Sequence, residues 1–335
     1  MTRVLTYPDI DPQQWQALVD RSPYATWFQT PEAYQFYASL PAEMQPFAVG
    51  VQCDNKLVGV CVGYITQTKN PLKQFLTRRA IIIGGPLLAD DISEEALAKL
   101  LEAIKRLGDK AIYVETRNFH DYSRWKSVFT HSGFAYHPHL NFHVDCTQEN
   151  MLATMSESRR RQIKKAIKSG VAIVEAQSQE DVRTYYDILK DLYKNKVKTP
   201  LFPLDFFLKF YENSFGKYLL VKYEDKIIGG IMCPILKART IYEWFVCGMD
   251  EQYKNQYPSV VATHAAIEYA KANGLPLFDF MGAGVPDQPY GVRDFKMEFG
   301  GELVEHGRFL CIRKPLLYKI GKTGVNFLKY SIKNR

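Results

Sequence analysis

The sequence predicts an α+β protein made of two tandem copies of one mixed-sheet module. Three observations carry this: a length of 335 residues, two similar hairpin segments half a chain apart, and a helix followed by a strand after each of them. At about 150 residues per domain the length suits two domains. A hydrophobic content of 46% and a charged content of 24% are ordinary for chains that bury a core.

The hairpins are the clearest repeat. AVGVQCDNKLVGVCVGYI surrounds Asp54, and YLLVKYEDKIIGGIMCPI surrounds Asp225. In register, Asp54-Asn55-Lys56-Leu57-Val58-Gly59 lies on Glu224-Asp225-Lys226-Ile227-Ile228-Gly229. An apolar run, a polar turn and a second apolar run read as a β-hairpin, and a glycine just past the turn eases a bulged strand. Downstream, residues 93–115 show apolar positions at three- and four-residue spacing, a glycine stop at Gly108 and a strand. Residues 259–280 repeat that plan, with Gly274 as the stop and Leu277–Phe280 as the strand. Boundaries follow at 1–150 for the first subdomain, 151–312 for the second, and 313–335 for a basic C-terminal helix.

Composition narrows the function classes. No apolar run approaches the roughly 20 residues of a membrane span, and the first residues hold two acids and no apolar signal core. Six cysteines are scattered without a CxxC pair, which argues for reduced thiols in a cytoplasmic compartment. The net charge is +7, and it is localised: residues 158–170 carry six positive charges and no acid. From His306 to Arg335 there are eight Lys or Arg, again without an acid. Such clusters suit phosphate-bearing partners such as tRNA or a nucleotide-linked substrate, or an anionic membrane leaflet. The plainer reading is a solvated helix face and a basic tail.

Hairpin, amphipathic helix and strand form the central part of the GNAT (acyl-CoA N-acyltransferase) fold. GNAT enzymes hold the CoA pyrophosphate with a Gly-rich segment at the helix N-terminus. Here MDEQYKNQYPSVV (249–261) has no glycine, and in IGGPLLADDISEE (83–95) the glycines are followed by Asp90 and Asp91, which repel an anion. Neither half is expected to bind CoA in that manner, so another acyl donor is implied.

Two motifs then point to a family. One is Ser158-Arg159-Arg160-Arg161-Gln162-Ile163-Lys164-Lys165-Ala166, with Lys168 and Gly170-Val171 after it. The other is Phe278-Asp279-Phe280-Met281-Gly282, a Gly/Pro-rich loop, Gly291-Val292-Arg293-Asp294-Phe295-Lys296, and Phe299-Gly300-Gly301. Together with Trp27-Phe28-Gln29-Thr30 and Gly84-Gly85-Pro86, they resemble FemAB-type peptidoglycan aminoacyltransferases. The resemblance covers nearly the whole chain. It implies two GNAT-like subdomains with a substrate cleft between them, aminoacyl-tRNA as co-substrate with no cofactor, and a UDP- or lipid-linked muropeptide as acceptor. Residues 185–215 are too short for the coiled-coil arm of some members, and the first half shows no convincing precursor-binding motif.

Transfer from an aminoacyl ester to an amine needs alignment of two reactants and a cation or N–H donors at the developing oxyanion. Lys296 is the candidate cation, against the alternative of a solvated lysine at a strand start. Asp279, in the apolar strand LFDFMG, needs a partner if buried and would orient Lys296 or the amine, or satisfy loop N–H groups. Arg159, Arg160, Arg161, Lys164 and Lys165 would meet tRNA or diphosphate phosphates along one helix face. Phe295, Tyr290 and Gly282 would line the substrate site, although an aromatic in such a loop is more often a packing anchor. His137, His139, His143 and Asp145 alternate along one strand, but a metal site from a single strand is unusual, and none is expected. No GxSxG elbow supports a serine nucleophile. Two other readings stay open: an N-acyltransferase using acyl-CoA or an acyl carrier on an amino sugar or surface glycan, and a non-catalytic basic protein that binds RNA or a membrane. The apolar residues between lysines in 313–335 extend the expectation to peripheral contact with the inner leaflet.

Overall fold

A computed structural model describes residues 1–68 and 70–322, and it divides into two compact units, Met1–Pro138 with the segment from His306 onward, and His139–Glu305.

In the first unit the strands are β1 (Thr2–Thr6), β2 (Met44–Cys53), β3 (Lys56–Thr66), β4 (Ala80–Gly84), β5 (Leu87–Leu88), β6 (Tyr113–Asn118) and β7 (Ala135–His137). The helices are α1 (Pro12–Arg21), α2 (Pro31–Ala38), α3 (Pro71–Thr77), α4 (Glu94–Leu107) and α5 (Lys126–His131). The second unit holds β8 (Leu140–Asp145), β9 (Ala172–Glu175), β10 (Gly216–Tyr223), β11 (Lys226–Leu236), β12 (Thr240–Tyr242), β13 (Phe245–Gly248), β14 (Leu277–Asp279) and β15 (Glu302–Glu305). Its helices are α6 (Met151–Thr154), α7 (Glu157–Lys168), α8 (Gln179–Leu192), α9 (Leu204–Tyr211), α10 (Pro258–Ala272) and α11 (Gly291–Met297). The last strand, β16 (Arg308–Ile312), returns to the first unit. The sheet orders are β1-β2-β3-β4-β6-β16-β7, with β5 on β3, and β15-β8-β14-β12-β11-β10-β9, with β13 on β11.

The repeat seen in the sequence is physical. Asp54 and Asn55 at one turn, and Glu224 and Asp225 at the other, all adopt positive φ, the conformation of a tight two-residue hairpin turn. Each hairpin then shifts register at the same point, between Val51 and Gln52 and between Val221 and Lys222, so that Gly59 and Gly229 follow the bulge. Gly229 is needed there, since a Cβ would lie 2.8 Å from the Cys247 carbonyl; at Gly59 the space is tight, with a Cβ about 3.1–3.2 Å from the side chains of Val51, Ile92 and Leu100. Ser93 caps α4, whose Leu97, Leu100, Leu101 and Ile104 are buried on one side. In both units a strand then runs parallel to a partner, β4 with β6 and β12 with β14.

The unit boundaries differ from those at 150/151 and 312/313. Leu140–Asp145 pairs with β14 and β15, and Arg308–Ile312 pairs with β6 and β7, so each sheet takes a strand from beyond the expected boundary. Strand exchange of this kind leaves no trace in local periodicity. Residues 315–322 are helical, and 323–335, the rest of the expected C-terminal helix, lie outside the described residues.

Candidate active site

The second unit concentrates its buried charge where β12 leaves its partner. Tyr242 is still paired with Asp279, and the Glu243 N–H donates to the Asp279 carbonyl at 2.9 Å. One residue later the Trp244 N–H has turned to the Met232 carbonyl, and the chain continues as β13 along β11. Glu243, at this parting, is buried. Its carboxylate accepts from Thr263 Oγ1 at 3.2 Å and lies 3.0 Å from Lys296 Nζ. Burial pushes the Glu243 carboxyl above its ordinary pKa, with Lys296 and Thr263 pulling against that rise.

Lys296 is the last turn of α11, not the start of a strand, and it is 8% exposed. Besides Glu243 it donates to the Phe280 carbonyl at 2.7 Å and the Gly282 carbonyl at 2.9 Å. An ammonium has three N–H groups, and three acceptors surround this one. A buried ion pair survives only when its remaining hydrogen bonds are made, and here they are. The side chain thus bridges β12 and the turn that leaves β14.

That turn is held from the other side by Asp279. Its carboxylate accepts from the Met281 N–H at 2.6 Å and Asn141 Nδ2 at 2.8 Å, and lies 3.1 Å from His143 Nε2. Asn141 Oδ1 takes the Gly282 N–H at 2.7 Å. Asp279 therefore satisfies the loop and does not pair with Lys296; Glu243 does. Burial pulls the His143 pKa down, but the hydrogen bond and charge of Asp279 outweigh it and the net shift is upward. Met281 at φ +59° and Gly282 at φ +137° make the turn a strained one, and a bulky residue with positive φ persists only where its surroundings impose it. Arg293 fixes the following loop, its guanidinium donating to the carbonyls of Ala283 at 2.9 Å, Pro286 at 3.1 Å, and Val285. The Tyr290 ring packs where a Cβ on Gly284 would be, and half of that side chain faces solvent.

The basic run divides in two. Arg159 is buried: it pairs with Glu298 at 2.8 Å, donates to the Phe295 carbonyl at 3.0 Å and to Gln162 at 2.8 Å, and lies 4.5 Å from the centres of the Phe295 and Phe299 rings. This corrects its expected role as a phosphate ligand: Arg159 clamps α7 to the segment that carries Lys296, and Phe295 is part of that packing. The signal was available, because Arg159 shares the buried face of Ile163 and Ala166 at i, i+4 and i+7. Arg161 and Lys164 are exposed, as is Lys165, which reaches Asn255 at 2.8 Å; Arg160 is half-buried and donates to the Ala153 carbonyl at 3.3 Å.

The N-terminus of α10 is occupied by the chain itself. Asp250 accepts from the Ser259 N–H at 3.1 Å and from the Ser259 hydroxyl, and Pro258 at the first helical position has no N–H to offer. An incoming pyrophosphate would meet a carboxylate where a GNAT helix presents open donors. Among the described residues no cluster of three or more His, Cys, Asp or Glu could hold a metal ion. Glu243 and Asn141 were missed by sequence reasoning. Glu243 is a lone acid in the apolar stretch TIYEWFVCG, the same signal that singled out Asp279.

Comparison with solved structures decides the fold. FemX superposes with a TM-score of 0.70 at 15% identity, covering 95% of this chain and 99% of that one. The chain has a FemAB-like tandem GNAT fold. L-PGS from Bacillus licheniformis follows at TM-score 0.57 and 14% identity, over 91% and 92% of the two chains. A tandem GNAT protein from the clavulanic acid biosynthesis pathway gives 0.57 at 9%, over 92% and 98%. Residues 155–297 match the model of the acetyltransferase (GNAT) domain, the interval that contains Arg159, Glu243, Asp279 and Lys296. No curated protein matches the sequence.

Proposed function

We propose that the protein is an N-acyltransferase that passes an amino acid from aminoacyl-tRNA to the amine of a peptidoglycan or related cell-envelope precursor. The observation that carries this reading is the pairing of two features in one unit. A carboxylate fills the helix end that would hold CoA, while a buried cation stands where β12 and β14 part. The fold shared with FemX supports it.

In this reaction the neutral amine attacks the ester carbonyl carbon and the C–N bond forms as the carbonyl becomes an oxyanion. The amine proton is lost, the C–O bond to the tRNA ribose breaks, and the ribose hydroxyl is reprotonated. Lys296 exchanges its Gly282 carbonyl for the oxyanion, with Glu243 holding the ammonium in place. Loss of one such donor costs about 2.7–4 kcal/mol of barrier. Asp279, through Asn141 and the Met281 N–H, is a positioning residue for the strained turn; Gly282 contributes the carbonyl that is released, and Tyr290 borders the loop. The exposed face of Arg161, Lys164 and Lys165 supplies charge for tRNA phosphates.

The test offers radiolabelled aminoacyl-tRNAs and, separately, labelled acetyl-CoA, with UDP- and lipid-linked muropeptides as acceptors. Label moving from tRNA to a muropeptide is the expected result. Label moving only from CoA overturns this reading in favour of the CoA-dependent one, and label moving from neither favours the non-catalytic binding protein.

A further inference from the structure

The first unit carries an exposed feature that the transferase chemistry leaves unused. On α3, Leu72, Phe75 and Leu76 fall at i, i+3 and i+4 and so share one face. Much of that face is open to solvent: Leu72 is 69% exposed, Phe75 55% and Leu76 45%. Beside it runs the helix at 315–322. Tyr318 turns inward, edge-on to Tyr113 at 5.7 Å, which leaves Leu316 and Ile320 on the opposite side, 78% and 64% exposed. The two elements are adjacent, since Lys314 Nζ lies 5.6 Å from the Phe75 ring centre. Five large apolar side chains thus form the tips of two neighbouring helices.

The two segments themselves are rich in cations and carry no acid. Between Asp54 and Asp90 there is no acid, while Arg78 and Arg79 follow α3 directly. The segment from His306 onward has no acid either, and Lys319 and Lys322 flank Ile320. Asp109 meets this corner, and it is paired with Arg313. Large exposed apolar side chains rimmed by lysines match the boundary of an anionic bilayer, where tips enter the acyl region and long cationic stems reach the phosphates. A nucleic acid would use the cations but has no need of leucine and isoleucine tips. Among the described residues no helix is long and apolar enough to cross a membrane, so the contact is peripheral.

We infer that α3 and the helix at 315–322 form one surface that docks this protein on an anionic phospholipid bilayer. The inference is independent of the acyl donor, because docking requires neither donor nor acceptor. The experiment is co-sedimentation of the full chain with phosphatidylcholine vesicles, with and without phosphatidylglycerol, at about 0.1 M salt. Binding is expected only with the anionic lipid, falling at least tenfold in the double variant Leu72→Ser/Phe75→Ser and again on raising the salt. These side chains are exposed, so the variant keeps the wild-type melting temperature; Leu316→Ser/Ile320→Ser provides a second, separate reading of the same surface. Equal sedimentation with the neutral vesicles, or unchanged binding by both variants, overturns the inference. So does a wild-type dimer that becomes monomeric in the variants without any vesicle binding, which would assign the surface to a second copy of the chain.

Discussion

The two units solve the same structural problem with different chemistry. In each, a strand leaves its parallel partner, β4 parting from β6 and β12 from β14. In the first unit the gap at Gly84-Gly85-Pro86 is filled by Gln29, whose Nε2 donates to the Gly84 and Gly85 carbonyls at 3.1 and 3.0 Å while Oε1 accepts the Thr26 N–H at 2.8 Å. The Tyr122 hydroxyl lies 2.6 Å from the Pro86 carbonyl and completes the plug. Both glycines have positive φ, and a Cβ on either would come within 2.5 Å of Thr26 or Tyr122. In the second unit the corresponding job, donation to two carbonyls, falls to Lys296. An amide is spent once its bonds are made. An ammonium with a buried counter-ion can redirect one bond without changing its charge, which is the basis of the role proposed for Lys296.

This contrast breaks or holds at Lys296. Lys296→Met should reduce transfer by two to three orders of magnitude, as for loss of an oxyanion donor. It should also lower stability, by about 3–5 kcal/mol, because Glu243 is left buried without its partner. A solvated lysine could be replaced with little effect on the melt; burial of the pair makes the melt respond. Adding Glu243→Gln should recover much of the stability and none of the turnover. Activity in the double variant near the wild-type rate would reduce Lys296 to a structural clamp equivalent to Gln29.

Gln29→Ala is the counterpart in the first unit. It leaves the Thr26 N–H and the Gly85 carbonyl buried and unpaired, which costs about 1–3 kcal/mol for each group. Denaturant unfolding should show that loss, while folded variant transfers at a rate within a few-fold of the wild type. A hundredfold fall in turnover at unchanged stability would give the first parting a role in chemistry and end the contrast.

How much of this was legible in the sequence depends on whether a feature is local. The hairpins announced themselves because turn, bulge and glycine recur within six residues, 54–59 and 224–229. Gly108 and Gly274 were both read as helix stops, yet for different reasons. Gly274 adopts positive φ, whereas Gly108 is required by the close approach of Val114, 2.3 Å from where a Cβ would stand. The Trp27-Phe28-Gln29-Thr30 and Gly84-Gly85-Pro86 motifs were seen separately, and only the fold shows that Gln29 holds the glycines. Lys296 and Asp279 were found by motif, and the reading that Asp279 satisfies loop N–H groups holds at Met281, but Glu243 and Asn141 were not seen as partners, since Glu243 lies 53 residues before Lys296 and Asn141 138 before Asp279. Such pairs are made by sheet topology. Arg159 was hidden by its neighbours: in a run of six cations, charge pattern outweighed the helical periodicity that buries it.

The smallest expected effect sharpens the comparison at the helix ends. In the first unit Ser93, a neutral cap, serves α4, with Glu94 and Glu95 in its first turn. In the second, Asp250 reaches across to Ser259 on α10 from the loop after β13. Asp250→Ala removes a cap and should cost about 1 kcal/mol, read as a small fall in melting temperature, with aminoacyl transfer changed by less than threefold. Asp250→Asn retains an acceptor for the Ser259 N–H and should recover most of that loss. Neither variant should gain acetyl-CoA binding by calorimetry. Removing the carboxylate leaves Pro258 without a donor and Tyr257 at φ +47° where a GNAT loop has glycine, so the end of α10 is still not an anion cradle. Tight acetyl-CoA binding by Asp250→Ala alone would mean that one side chain, rather than the shape of the whole loop, separates this unit from a CoA-dependent enzyme, and would move the donor assignment to the acyl-CoA reading.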